Sequence, residues 1–430
     1  MKNISVELIV MMILVFCLPD AFGDEFLIKP YFAVRGEYND NIFFFSEDEI
    51  DDYILTIKPG IELIERTERL DAKLSGEVAP FFYADNSDLN DVDQDYRGRI
   101  GYQFTPRFNG RADAFFIIDN RPDRDILTTG LVQGTDQRQR YHFGAGTNYL
   151  VSEKAAVDLS YDWNRDDWDT EVVDRQDLAS NVANLGLLYS LDEWLEASTG
   201  RMNFGYANYD YDTSNTDSYY GGVGLEHMIS ELVALEVDIG ARYVDSEFDA
   251  LESSGIDPGP PPRQISIYRK ERNSAWGGIG KAILEYRGEK TLSNFLVSRD
   301  LAGASGQNGP SDQFRVIFSV YHRILEEMRL GFTTGYYSNK ADEGDFSSHR
   351  IDEKTFRIQP TIRWEFCDSF TLEGAYTYTY VANKVSDRNS AQNRIFFQVA
   401  YGIPLFEALN LFSAEGRQVV SGTVPLAEPR

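Results

Sequence analysis

The sequence predicts an all-β fold: a single transmembrane antiparallel up-and-down β-barrel of about 18 strands (16–18), with short periplasmic turns and long acidic extracellular loops. Three observations predict it. Polar and apolar residues alternate along segments of about ten residues, the length a tilted strand needs to cross a bilayer. The connections between these segments alternate between short and long without a break. Negative charge collects in the long connections.

The alternation is clearest in Thr355–Phe366. The even positions Phe356, Ile358, Pro360, Ile362, Trp364 and Phe366 oppose the odd positions Thr355, Arg357, Gln359, Thr361, Arg363 and Glu365. Residues 370–380, 53–63 and 233–243 behave alike. Period two places one set on each face of a strand, whereas a helix needs apolar residues three and four apart. In chain order the segments fall near 27–38, 53–64, 70–83, 96–105, 109–118, 140–151, 155–163, 178–190 and 195–207. They continue near 219–229, 233–244, 274–286, 291–297, 313–324, 328–337, 354–366, 370–382 and 393–403.

Short connections such as 65–69, 152–154, 230–232 and 367–369 alternate with long ones of 10 to 29 residues, the first at 39–52 and the longest at 245–273. The nine long connections hold 38 Asp and Glu against 14 Lys and Arg, a net of −24 in a chain of net −28. The strand faces are therefore close to neutral, as a wall in hydrocarbon requires. A soluble sandwich has no reason to keep such an asymmetry. Aromatic residues also stand at many segment ends, where interfaces would lie: Tyr38, Tyr53, Tyr141, Tyr149, Tyr206, Tyr243, Tyr336, Tyr380 and Tyr401 among them.

The ends of the chain carry their own signals. Residues 1–23 have a basic start at Lys2, an apolar core at 8–18 and a small-residue site at 21–23, the anatomy of an export signal. The barrel is expected over 24–404, with 405–430 as a periplasmic tail or a plug. No later stretch approaches 18 consecutive apolar residues, which excludes a helical membrane protein. Once the signal is removed Cys367 is the one cysteine, so no intrachain disulfide is expected. No nucleic-acid partner is expected of a chain of net −28.

No constellation points to chemistry. The four histidines, His142, His227, His322 and His349, lack metal-ligand spacing, and no serine sits in a nucleophile elbow. The acidic run 85–95 lacks the glycine and glutamate of a calcium loop. No catalytic, cofactor or metal residue is therefore expected. The proline-rich 257–262 reads as a stiff arm over the mouth. In 37–45, "EYNDNIFFF", the aromatics beside a turn read as a dip against the barrel rim in preference to a plug inside it.

The inward faces are the candidate functional surface. By parity they carry the cations Arg35, Lys58, Lys73, Arg97, Arg99, Arg111, Arg242, Lys281, Arg315, Arg357, Arg363 and Arg394. Their acidic counterparts are Glu37, Glu62, Glu77, Asp113, Asp158, Glu236, Asp238, Glu285, Glu365 and Glu373. Such a mixture serves either a packed ion-pair network or a wet pore, and it forms no ring of one sign.

The stretch Tyr38, Asn39, Asp40, Asn41, Ile42, Phe43, after a first strand containing Pro30, resembles the "Y-x-D-N-I-F" start of a family of outer-membrane β-barrel porins associated with exosortase and exopolysaccharide systems. The last strand, 393–404, is similar to that family's closing strand, which opens on Asn-Arg. The resemblance implies an outer-membrane lipid surrounding, a link to polysaccharide export and no catalytic residues. The leading expectation, resting on the short-long alternation and the charge sorting, is a passive channel or export-associated conduit for a polar solute or polysaccharide. A closed barrel serving as a surface scaffold is the alternative, and a barrel enzyme a third.

Overall fold

The alternation is realised as strands throughout. The structure, a computed structural model, describes residues 25–121, 136–169, 175–257, 263–367 and 369–402. The export signal (1–23), the tail (405–430) and residues 258–262 of the proline-rich arm lie outside the described residues.

The strands are β1 (Glu25–Asn39), β2 (Asp52–Arg66), β3 (Leu70–Tyr83), β4 (Asp91–Thr105), β5 (Phe108–Asp119) and β6 (Gln137–Leu150). There follow β7 (Ala155–Asp169), β8 (Leu178–Ser190), β9 (Ser198–Tyr211), β10 (Ser214–Ser230), β11 (Val233–Asp257) and β12 (Arg263–Arg287). The last six are β13 (Thr291–Ala302), β14 (Ser311–Arg323), β15 (Met328–Ala341), β16 (Ile351–Cys367), β17 (Phe370–Asn383) and β18 (Arg388–Gly402). Each pairs antiparallel with its neighbours in sequence, and β1 also pairs with β18, so the 18-stranded sheet closes on itself. Closure gives both edges of every strand a partner, which is what a sheet in hydrocarbon needs.

The two faces separate as period two requires. Ile28, Phe32, Leu55, Ile61, Leu159, Val223, Ile239, Ile395 and Phe397 point outward and are exposed. Outward aromatics meet across strands in two belts. At the long-loop end Tyr38 lies 4.9 Å from Tyr53, Phe116 5.0 Å from Tyr141, and Tyr206 5.2 Å from Tyr219. At the short-turn end Tyr102, Phe104, Phe108 and Tyr149 form one chain of contacts, and Trp364, Phe366, Phe370 and Tyr401 another. Aromatic rings favour the boundary between hydrocarbon and water, so the belts mark the edges of an apolar band.

Two inward glycines make room for rings. An ideal Cβ on Gly60 would lie 2.1 Å from the Tyr31 ring directly across the ladder, and one on Gly205 2.2 Å from the ring of Tyr220. Each tyrosine covers the bare backbone of its opposite glycine, which pins the local register.

Two stretches expected as loops are strand. Residues 208–218 form a tight hairpin that turns at Asp212 and Thr213. Residues 245–257 and 263–273 extend β11 and β12 beyond the wall: β11 keeps β10 as a partner only up to Phe248 and β12 meets β13 only from Gly280 to Arg287, while β11 and β12 pair with each other farther out as a two-stranded ribbon. Cross-strand ion pairs, Lys270–Glu247 at 2.6 Å and Arg272–Asp245, line the ribbon. At its base the ribbon still has two faces, with Ser246 and Phe248 buried and Glu247, Lys270 and Arg272 exposed.

Candidate functional site: the barrel lumen

Three long-end loops fold inward and roof the lumen. In the first, residues 40–51, Ile42 is buried against Ile54, Phe81 and Tyr83, all three on the inward face of β2 and β3, with Phe43 and Ile50 packed against that cluster and Phe44 wholly buried in the same loop. The rim reading of 42–45 is therefore corrected: the segment packs inside the mouth. The physical reason is the apolar inward patch at the outer ends of β2 and β3, which would otherwise face water.

Asn41, wholly buried, holds this loop. Its side-chain amide donates to the carbonyls of Phe45 (2.8 Å) and Ala391 (2.9 Å), and its oxygen accepts from the Phe45 N–H (2.9 Å). Asp40 accepts from both the backbone and the side-chain nitrogens of Asn393, each at 2.6 Å. The two motifs that carry the family resemblance, at opposite ends of the chain, thus meet at the β1–β18 seam. Of the remaining motif residues, Tyr38 faces outward in the aromatic belt and donates to Asp51, and Phe43 stacks on Phe45 at 5.2 Å.

The second loop, residues 303–310 between β13 and β14, is a strap across the barrel. Tyr209 donates to the Leu301 carbonyl (3.2 Å), the Ala304 N–H donates to Tyr211 (2.8 Å), and Ser214 donates to the Asn308 carbonyl (3.0 Å). At its far point Ser305 meets the buried Arg138 of β6, which also pairs with Asp119 at 2.9 Å. The third loop, 342–350, lies beside it: Phe346 is buried with Leu178, Tyr209, Tyr211 and Leu301, and Asn273 donates to the Gly344 carbonyl (2.8 Å). An apolar patch on the inward faces of β8, β9 and β11 draws both loops in.

Below this roof lies a cavity of about 1320 Å³. Of the residues expected on the pore face, Lys73, Arg97, Arg99, Arg111, Asp113, Asp158, Lys281, Arg315 and Arg363 border it. Arg35, Arg242, Arg357, Arg394, Glu77, Glu236 and Glu365 share the inward parity but do not line the cavity. Most tie wall to wall or wall to roof. Arg35 pairs with Glu37, which also takes Arg121 at 2.5 Å, and Arg35 lies over the Phe396 ring. Arg242 joins Asp312 at the base of the strap. Glu77 accepts from Tyr31 (2.9 Å) and lies 3.5 Å from Lys58, Arg357 donates to Gln359 (2.7 Å), and Glu365 lies 3.3 Å from Arg363. Arg394 sits opposite Asn39 and Thr377 in the ladders beside the seam.

Sequence reasoning did not single out Arg201, the hub of a four-residue ion-pair network. It bonds Glu236 (2.6 Å) and Asp238 (2.8 Å) across β10, and Lys281 meets Glu236 at 2.5 Å. Its inward parity on β9 was available as a signal, but its reach over an intervening strand was not. Asp162, Asp166 and Arg140 also border the cavity.

Three of the four histidines fall into two environments, and His349 is exposed in the third loop. His142 faces the lumen, bridging Asp113 (2.8 Å) and Asn164 (2.7 Å) and stacking on Phe115. His227 bonds Ser198 and His322 bonds Thr291, both at 2.8 Å near the short-turn end. The Ser198 hydroxyl also reaches the Glu196 carbonyl at 3.1 Å, a structural bond that ties it to the turn.

No protein-family model matches the chain, and no curated protein matches it. Among solved structures it is similar to OccAB4 of Acinetobacter baumannii, at 11% identity over 87% of this chain and 98% of that one, with a TM-score of 0.43. It is similar to OccK2 (OpdF) of Pseudomonas aeruginosa at 9% identity over 89% and 100%, with a TM-score of 0.43. It is likewise similar to the ferric-catecholate import receptor Fiu of E. coli K12 at 7% identity over 86% and 81%, with a TM-score of 0.46.

Proposed function

We propose that this chain is a channel of the bacterial outer membrane that passes small polar solutes and does no chemistry of its own. The observation that carries the reading is the contrast between the two faces of one closed sheet. Outside is an apolar band between aromatic belts; inside is a charge-lined cavity of about 1320 Å³. Hydrocarbon tolerates the first face and only water the second. The short turns then lie in the periplasm and the acidic loops outside the cell.

The resemblance at Tyr38–Phe43 supports a narrower form, in which the channel serves polysaccharide export. The strap 303–310 and its two neighbouring loops favour small solutes over a polymer, because they cross the mouth that a chain would have to thread. They also favour the second reading, a closed barrel whose surface binds a partner. Reconstitution decides between them. Discrete conductance steps in planar bilayers, and liposome swelling with monosaccharides but not with long oligosaccharides, support the small-solute channel. Swelling with long oligosaccharides supports the polymer conduit. Neither steps nor swelling supports the closed scaffold.

A further inference from the structure

One seam of the wall, β12 against β13, stops short. The two strands pair only from Gly280–Arg299 to Arg287–Leu292, yet each continues on its other edge, β12 with β11 to Arg263 and β13 with β14 to Ala302. Trp276, 76% exposed and 5.3 Å from Tyr243, and Tyr286 at the short-turn end bracket the crossing of β12. The edge Trp276–Ile279 is therefore unpaired inside the apolar band, over about 13 Å at about 3.3 Å per residue. The strap explains the gap. Leu301 has the outward parity of Phe295 and Arg299, yet it is buried in the cluster with Tyr209, Tyr211 and Phe346. Asp312 has the outward parity of Phe314 and lies three strands from β11, yet Arg242 on the inward face of β11 donates to it. Both contacts require the outer ends of β13 and β14 to lean over the lumen and leave β12 behind.

The gap is framed. Below it is the Gly280–Arg299 pair; above it Asn273 donates to the Gly344 carbonyl (2.8 Å), tying β12 to the third loop. Trp276 and Phe314 stand exposed on its outer lips, and the lumen cavity borders it at Ile279, Gly280 and Arg299–Gly303. The β12 lip is low: a Cβ on Gly278 would meet nothing within 4 Å, and one on Gly277 would lie 3.0 Å from Arg242 Nε. Arg242 latches the gap from inside, and Arg299 lies 3.3 Å from the same Asp312. Nε and Nη1 of Arg242 are buried with no hydrogen-bond acceptor among the described residues. Buried guanidinium donors call for an acceptor, and phosphate is a strong one.

We propose that this gap is a lateral portal between the lumen and the bilayer leaflet at the long-loop end, and that it takes amphiphiles with a phosphate headgroup and an acyl tail. The phosphate meets the unpaired N–H groups of Arg242 inside, while the tail stays in the bilayer between Trp276 and Phe314. Neither part then enters the wrong solvent. The portal goes beyond axial passage and needs only that the barrel span a membrane.

The test is photolabelling in phosphatidylethanolamine liposomes with a lysophospholipid that carries a diazirine on its headgroup, with mass spectrometry locating the adducts. Label should appear on Asp300, at the inner lip, and not on Thr333, which borders the same cavity from β15. G278F fills the open lip and should bring Asp300 down to the level of Thr333; D312N removes the latch and should raise Asp300 severalfold. Heat-modifiable migration on gels checks that each variant is folded. A monoacylglycerol with the same diazirine and no phosphate should label Asp300 weakly. Equal labelling of Asp300 and Thr333, or labelling of Asp300 that G278F leaves unchanged, shows entry along the axis and overturns the portal. No label on either residue also overturns it, and equal labelling by the two probes overturns the phosphate class. A barrel without the portal that still conducts in planar bilayers leaves the channel reading standing.

Discussion

Asn41→Ala tests whether the first loop is held as the geometry implies. The side chain is completely buried and makes three hydrogen bonds, two donated to the carbonyls of Phe45 and Ala391 and one accepted from the Phe45 N–H. Truncation removes all three and leaves their backbone partners in a space that excludes much of the solvent. At about 1 kcal/mol for each net bond, the loss is about 3 kcal/mol. Phe44, wholly buried on the same loop, should couple to it, since its N–H donates to the Asn41 carbonyl (3.3 Å) in the turn that Asn41 holds. The Asn41→Ala, Phe44→Ala double variant should thus lose less than the sum of the single losses. The assay is reversible urea unfolding in phospholipid micelles followed by tryptophan fluorescence. A loss below about 0.5 kcal/mol, the scale of an ordinary surface substitution, would refute the argument that Asn41 locks the loop to β18.

Gly60→Ala places a methyl group where the Tyr31 ring lies, and should cost about 1–3 kcal/mol as the ring is displaced from Glu77; Tyr31→Ala in the same chain should recover part of this in the unfolding midpoint. Arg201→Met leaves Glu236 and Asp238 with Lys281 as their shared cation and should destabilise by about 3 kcal/mol in the same assay. Replacing 304–309 with a shorter Gly-Ser link removes the strap's bonds to Tyr211, Arg138 and Ser214, and should raise single-channel conductance; an unchanged conductance would show that the strap does not narrow the path. Trypsin should nick the folded barrel first at Arg269, Lys270 or Arg272 on the exposed ribbon, with mass spectrometry locating the cut.

The sequence by itself determined the strands, their number and their antiparallel order. Side-chain period is a local property, and a face of hydrocarbon beside a face of water writes it directly into residues such as 355–366. Turn lengths and charge sorting distinguished the long-loop end of the barrel from the short-turn end. Parity also assigned an inward face to each charged residue, but a face is not a neighbour. Whether Arg99 meets the lumen while Arg35 is spent on Glu37 depends on the stagger of strands and on what lies above them, and no single strand encodes either. Only the tertiary structure brought Asp40 to Asn393 across the seam, stretched Arg201 over β10, and turned three loops inward onto apolar patches. The ribbon stayed hidden because it pairs two halves of one polar stretch, residues 246–257 against 263–273, and a local pattern does not name a partner.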